Sequence, residues 1–95
     1  MPEEIHAAHI LVPTEKEADS ILTKLREGED FATLAYSYSS CPSKEEGGDL
    51  GWFGQGVMVP EFEKAAFSTK PGQFSKVKTE FGWHIIKIIE TRDSE

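Results

Sequence analysis

Two segments near opposite ends of the sequence, Ile5–Val12 (I-H-A-A-H-I-L-V) and Trp83–Thr91 (W-H-I-I-K-I-I-E-T), are short, rich in branched residues and apolar on both faces of an extended backbone. A strand with one wet face alternates polar and apolar residues, whereas one that is apolar on both faces must be covered on both. The chain therefore needs a sheet with these two segments at its centre and helices packed over it. In the first segment Ile5, Ala7 and Leu11 share a face with His9, while Ala8, Ile10 and Val12 point the other way. With 95 residues there is room for one such unit and none for a barrel or doubly wound fold of about 200 residues.

The intervening sequence supplies the cover. Thr14 followed by Glu17 is a capping box, and the stripe Ala18, Ile21, Leu22, Leu25 predicts an amphipathic helix that ends before Gly28. Asp30 is placed to cap a second short helix with Phe31, Leu34, Ala35 and Tyr38 on its apolar side. From Ser39 to Gly56 the density of glycine predicts irregular backbone, apart from a very short strand near Trp52. Pro60 at a first helical position, with Glu61 and Glu63 in the first turn, opens a third helix whose Phe62, Ala65, Ala66 and Phe67 face inward. Lys70-Pro71-Gly72-Gln73 has the residue pattern of a type II turn leading into a strand over Phe74–Thr79, and Glu80-Phe81-Gly82 joins that strand to the last one. The order is strand, two helices, short strand, helix, two strands: an α+β domain over residues 1–95, with its core at about 5–90 and a sheet of about four strands.

Charge narrows the function classes. Acidic residues outnumber basic ones by 17 to 10, for a net charge of −7, a surface that repels phosphate backbones and anionic lipid. Neither nucleic acid nor a membrane is an expected partner, and no apolar run approaches the roughly 20 residues of a spanning helix. The first thirteen residues lack the character of a secretory signal, and one cysteine excludes an internal disulfide, so the cytoplasm is the expected address. Met1 and the polar ends (1–4 and 91–95) favour the expectation of a complete protein, with a domain cut from a larger protein as the open alternative.

Few side chains can carry chemistry: Cys41, the histidines His6, His9 and His84, and hydroxyls near them. Cys41 with a histidine could form a thiol nucleophile, yet Pro42-Ser43-Lys44-Glu45-Glu46 is an ambiguous electrostatic setting, and a small half-buried apolar role remains open. His6 and His9 project to opposite faces of one strand and no Cys-x-x-Cys pair exists, so no metal is expected. The glycine-rich stretch lacks phosphate-loop spacing and has no Lys or Arg from Gly47 to Glu63, which removes nucleotide binding; no cofactor is expected. What remains is a group of large apolar residues in or beside irregular backbone: Leu50, Trp52, Phe53, Met58, Phe62 and Phe81. Trp52 and Phe67 are read as core; the others suit a pocket for a small apolar ring.

Three blocks, H-I-L-V at His9–Val12, G-G-D-L-G-W-F-G-Q-G-V-M-V-P-E-F-E-K-A-A-F at Gly47–Phe67 and F-G-W-H-I-I-K at Phe81–Lys87, resemble the parvulin family of peptidyl-prolyl cis-trans isomerases. The likeness runs from about Ile5 to Glu90 and is greatest to the small stand-alone prokaryotic parvulins. It implies a four-stranded antiparallel sheet surrounded by helices, and a monomer that acts on proline-containing peptides and unfolded proteins. It also implies that His9 and His84 lie side by side on central strands with Thr79 in their hydrogen-bond network, and that Cys41 stands where members carry Cys or Asp. Leu50, Met58 and Phe62 would hold the proline ring, with Phe53 and Phe81 as walls. Members directed to phosphorylated substrates carry a long basic loop after the first strand. Here that connection is Pro13-Thr14, followed by Glu15 and Glu17, so action independent of phosphorylation is expected. A non-catalytic peptide-binding or chaperone module using the same groove, and a cysteine hydrolase, are the competing readings.

Overall fold

The computed structural model describes residues 3–93, so the outermost polar residues Met1, Pro2, Ser94 and Glu95 lie outside the described part. Eight elements follow one another: β1 (Glu4–Val12), α1 (Glu15–Arg26), α2 (Phe31–Tyr38), a 3₁₀ helix (Pro42–Glu46), β2 (Asp49–Gly54), α3 (Pro60–Ser68), β3 (Phe74–Thr79) and β4 (Gly82–Arg92). The strands form one antiparallel sheet in the order β2-β1-β4-β3. The two segments that are apolar on both faces are thus the two central strands.

Burial follows the alternation read from β1. Ala8, Ile10 and Val12 pack with Ile85, with Ala18, Ile21 and Leu25 of α1 and with Phe31, Leu34 and Ala35 of α2. On the other face Ile5 and Ala7 pack with Phe53, Ile86, Ile88 and with Phe62, Ala66 and Phe67 of α3. One sheet therefore separates two small cores, and α3 alone cannot span the second face. The part it leaves open lies over His9, Leu11 and His84.

The helix signals operate as expected. Thr14 Oγ1 accepts the Glu17 N–H at 3.2 Å, and Asp30 Oδ2 accepts that of Thr33 at 3.0 Å. Pro60 sits in the first turn of α3, and the Gln73 N–H closes the Lys70 turn at 3.0 Å. The short strand expected near Trp52 is β2, which reaches six residues because it pairs with β1 from Glu4 to Ala8, and a 3₁₀ turn that glycine density did not predict precedes it. Two expectations fail. Tyr38 is half exposed, standing at the C-terminal end of α2 beyond the residues that meet the sheet. Trp52 is solvent-facing too, held between His6 (ring centroids 5.5 Å) and the Arg92 guanidinium (4.3 Å).

The β1–β2 ladder stops at Ala8↔Asp49, after a register shift at Ala7/Ala8. Beyond it, loop backbone and a side chain serve the free edge of β1. The Gly48 carbonyl accepts the His9 N–H at 2.9 Å, Ser39 Oγ accepts the Leu11 N–H at 3.0 Å, and the Ser40 N–H donates to the Leu11 carbonyl at 2.7 Å. These bonds satisfy a central strand where its neighbour ends. They also bring residues 39–41 over the open part of the sheet.

Candidate active site

At that opening is a cleft of roughly 400 Å³, lined by His9, Leu11, Ser40, Cys41, Pro42, Leu50, Met58, Val59, Phe62, Phe81 and His84. Its floor is the sheet. In the β1–β4 register Leu11 stands opposite His84 and His9 opposite Ile86, so the two histidines are diagonal neighbours on one face. Their Nδ1 atoms are 2.9 Å apart, which requires one ring to donate and the other to accept. His84 Nε2 lies 2.7 Å from the Thr79 hydroxyl, which also accepts the Phe81 N–H at 3.2 Å. Thr79 ends β3 and Phe81 sits in the β3–β4 turn, so this network ties the turn to the floor. Both histidines are buried and edge-on to Phe62, at centroid distances of 5.6 and 5.2 Å. Burial, and next the proximity of His84, pushes the His9 imidazole down to about 4. Burial also lowers His84. At neutral pH the floor is an uncharged pair of rings.

The walls are apolar. Leu50 comes from β2, Met58 and Val59 from the β2–α3 connection, and Phe62 from the first turn of α3. Leu11 and the Ser40-Cys41-Pro42 segment close the side opened by the end of the β1–β2 ladder. Phe62 is almost wholly buried, with its ring shared between the cleft and the core behind it, whereas Phe81 is 63% exposed and forms the rim.

Among the described residues no histidine nitrogen is hydrogen-bonded to Cys41. Both His84 nitrogens are engaged and His9 Nε2 has no partner. A thiolate nucleophile needs a positive or proton-accepting neighbour. These desolvated, mutually engaged imidazoles do not provide one, which weighs against the hydrolase reading. Nor do the described residues contain a group of three or more His, Cys, Asp or Glu able to hold a metal. No helix among them is long and apolar enough to cross a membrane.

Of the residues singled out from sequence, His9, Cys41, Leu50, Met58, Phe62, Phe81 and His84 meet at this cleft, and Thr79 reaches it through His84. Phe53 does not. It is buried behind Phe62 and Phe67, 6.2 Å from each ring, because its pairing with Ile5 aims it into the core under α3. The expectation that Phe53 is a wall is therefore corrected: it supports Phe62. Four lining residues went unnoticed in the sequence. Leu11 was discoverable from its alternation with His9, while Ser40, Pro42 and Val59 carry no local signal of their position.

The family profile of the PPIC-type PPIase domain matches residues 1–92. The chain belongs to the PPIC-type peptidyl-prolyl isomerase family. Among curated relatives of this parvulin domain, the foldase protein PrsA of Geobacillus sp. (strain WCH70) is 56% identical over 93 residues, covering 96% of this chain and 34% of that one. PrsA of Bacillus subtilis (strain 168) is 50% identical over 90 residues, 93% of this chain and 31% of that one. The chain thus spans about a third of the length of these relatives. The crystal structure of PrsA from Bacillus anthracis superposes with a TM-score of 0.96 at 48% identity, over 99% of this chain and 44% of that one. NmPin, the parvulin of Nitrosopumilus maritimus, matches with a TM-score of 0.86 at 42% identity, over 95% of this chain and 99% of its own. The four-stranded antiparallel sheet and the β-α-α-β-α-β-β order expected from the resemblance are those of these neighbours. The same domain serves as a small stand-alone parvulin and as a segment of longer foldases.

Proposed function

We propose that the parvulin domain binds a proline-containing segment of a peptide or unfolded protein at this cleft and accelerates rotation about the X-Pro bond without covalent attack. The observation that carries this reading is an apolar seat of Leu50, Met58 and Phe62 above an uncharged histidine pair, open to solvent beside Cys41. The X-Pro amide resists rotation by about 18–20 kcal/mol because its C–N bond has partial double-bond character, and exchange takes tens to hundreds of seconds. Removing about 5 kcal/mol from that barrier accelerates exchange several thousandfold. No bond breaks, so it suffices to bind the twisted amide better than either planar form. The apolar seat grips the ring and strips water from the polar planar amide, while the Cys41 and His9/His84/Thr79 groups set the field at the rotating carbonyl.

Exchange spectroscopy on a short X-Pro peptide tests the proposal. Leu50→Ala and Met58→Ala are each expected to lower kcat/KM by about tenfold or more with an unchanged circular dichroism spectrum. If the unaltered protein bound the peptide and left its exchange rate at the uncatalysed value, the domain would be a binding module instead. Exposed Phe81, at the rim, and Val57, next to Met58, favour that second reading to the extent that they extend the apolar surface beyond a proline ring. Cys41→Ser is expected to keep kcat/KM within about tenfold, because a hydroxyl replaces the thiol as a dipole; complete loss in a folded variant would restore a covalent role.

Independence from phosphorylation belongs to the same proposal. Among the described residues no Lys or Arg lines the cleft, and the β1–α1 connection leads straight into the acidic first turn of α1. Matched Ser-Pro and phospho-Ser-Pro peptides are expected to show no preference for the phosphorylated form, and a preference of about tenfold or more would overturn this. A monomeric state and a cytoplasmic address complete the proposal; the second rests on the lone Cys41.

A further inference from the structure

We infer that Ser39 is a positioning residue for the isomerisation: its hydroxyl joins two walls of the cleft that belong to different parts of the chain. The inference rests on the isomerase reading above. Ser39 is 5% exposed and directly follows α2, where its own N–H donates to the Ala35 carbonyl at 2.9 Å. Its Oγ accepts two backbone N–H groups, from Leu11 at 3.0 Å and from Cys41 at 3.2 Å. Both donors belong to residues that line the cleft. The neighbouring Ser40, also in the lining, donates its N–H to the Leu11 carbonyl at 2.7 Å.

The hydroxyl therefore acts as the carbonyl that β2 would have offered had the ladder continued past Asp49. A serine hydroxyl accepts the Leu11 N–H from a side chain, so residues 39–41 need not continue the strand beside β1. By accepting the Cys41 N–H as well, Ser39 fixes the thiol-bearing wall against Leu11. Without the hydroxyl, both N–H groups lose their acceptor in a largely desolvated place, and the Ser40-Cys41-Pro42 wall is tied to β1 by one bond instead of two.

The opposite wall does not depend on this device. Leu50, Met58 and Phe62 are set by β2, the β2–α3 connection and α3, none of which bonds to Ser39. Removal of the hydroxyl should leave the proline seat intact and displace only the wall that carries the thiol. The expected signature is a loss in turnover with little change in substrate affinity, since small misplacement of a group beside the reacting bond acts on the transition state.

The experiment is two-dimensional exchange NMR on one X-Pro peptide with four proteins: the unaltered chain, Ser39→Ala, Ser39→Thr and Ile21→Val. Ile21→Val lowers stability through the core on the opposite face of the sheet and serves as the control for destabilisation. All four are measured at a temperature where urea titration shows them folded. Ser39→Ala is expected to lower kcat by about tenfold or more with KM within about twofold, together with selective loss of amide-exchange protection at Leu11 and Cys41. Ser39→Thr, which keeps the acceptor, is expected to recover most of kcat, and Ile21→Val to keep it. Turnover that stays within about twofold in Ser39→Ala despite faster exchange at those two amides would overturn the inference and leave Ser39 a purely structural residue. So would a turnover loss matched by Ile21→Val. An inert unaltered chain would instead refute the isomerase reading itself.

Discussion

Gly48→Ala is expected to destabilise the domain by at least about 3 kcal/mol and to take the activity with it. Gly48 has a φ of +85°, and a Cβ built there would stand 2.4 Å from the carbonyl oxygen of His9 and 3.3 Å from the Ala35 side chain. Neither backbone can retreat. The Gly48 carbonyl accepts the His9 N–H at 2.9 Å and its own N–H donates to the Ser43 carbonyl at 2.8 Å, so the loop and β1 are held at contact distance from both sides. The strain of a left-handed alanine, of order 1–2 kcal/mol, adds to a clash against the strand that carries His9 into the cleft floor. The control is Gly51→Ala. Gly51 has a similar φ of +74° with nothing within 4 Å of the added Cβ, so only the conformational cost should appear. Urea unfolding of both variants checks this: a loss of roughly 1–2 kcal/mol for Gly51→Ala is expected, well below that for Gly48→Ala. Equal losses would mean that the close approach to His9 has no energetic consequence.

Acid is expected to weaken the fold before it reaches the carboxylates. Burial, then the nearby His84 ring, lowers His9 to about 4, and burial lowers His84 as well. A histidine depressed in this way is neutral in the folded chain while the unfolded chain binds a proton near pH 6.5. The unfolded state therefore gains protons first as pH falls. The full contribution is present above about pH 6.5 and is lost progressively toward pH 4. His9 alone would account for roughly 3 kcal/mol across that window, a large share of the 5–15 kcal/mol typical of a small domain. Asp30 and Asp49 titrate below this range. Asp30 is lowered chiefly by the Thr33 N–H, and at Asp49 burial is outweighed by the Gly51 N–H and His6. Urea unfolding at intervals from pH 7.5 to 4.5 should show stability falling with a slope of about one proton from His9 in the middle of the window, to which His84 adds. His9→Gln should remove the His9 part of that slope. A flat profile between pH 6.5 and 5 would show that the pair is protonated in the folded protein or already exposed.

The cleft joins these two expectations, because the neutral histidine floor hangs from the strand that Gly48 supports. The uncharged floor of the cleft and a fold that loses stability when that floor is charged have the same origin in the burial of His9 and His84 beneath Phe62.

Much of the architecture was legible in the sequence. A period of two residues assigns every second side chain of a strand to one face, so Ile5–Val12 and Trp83–Thr91 had to be central before any partner was known, and the capping residues Thr14 and Asp30, with Pro60 at a first helical position, marked where helices begin. These are short-range regularities, set by backbone geometry and burial within a few residues. The cleft depends on longer-range facts. His9 and His84 lie 75 residues apart and meet only through the β1–β4 register. Phe53 and Phe62 look alike in sequence, yet pairing with Ile5 sends the first into the core, while a place in the first turn of α3 leaves the second at the cleft. The point at which β2 lets go of β1, and the serine that takes over the Leu11 N–H left without a strand partner there, follow from where two strands diverge in space. Periodicity along one element carries no information about that, because the divergence is an energy balance among segments that touch only once the sheet has formed.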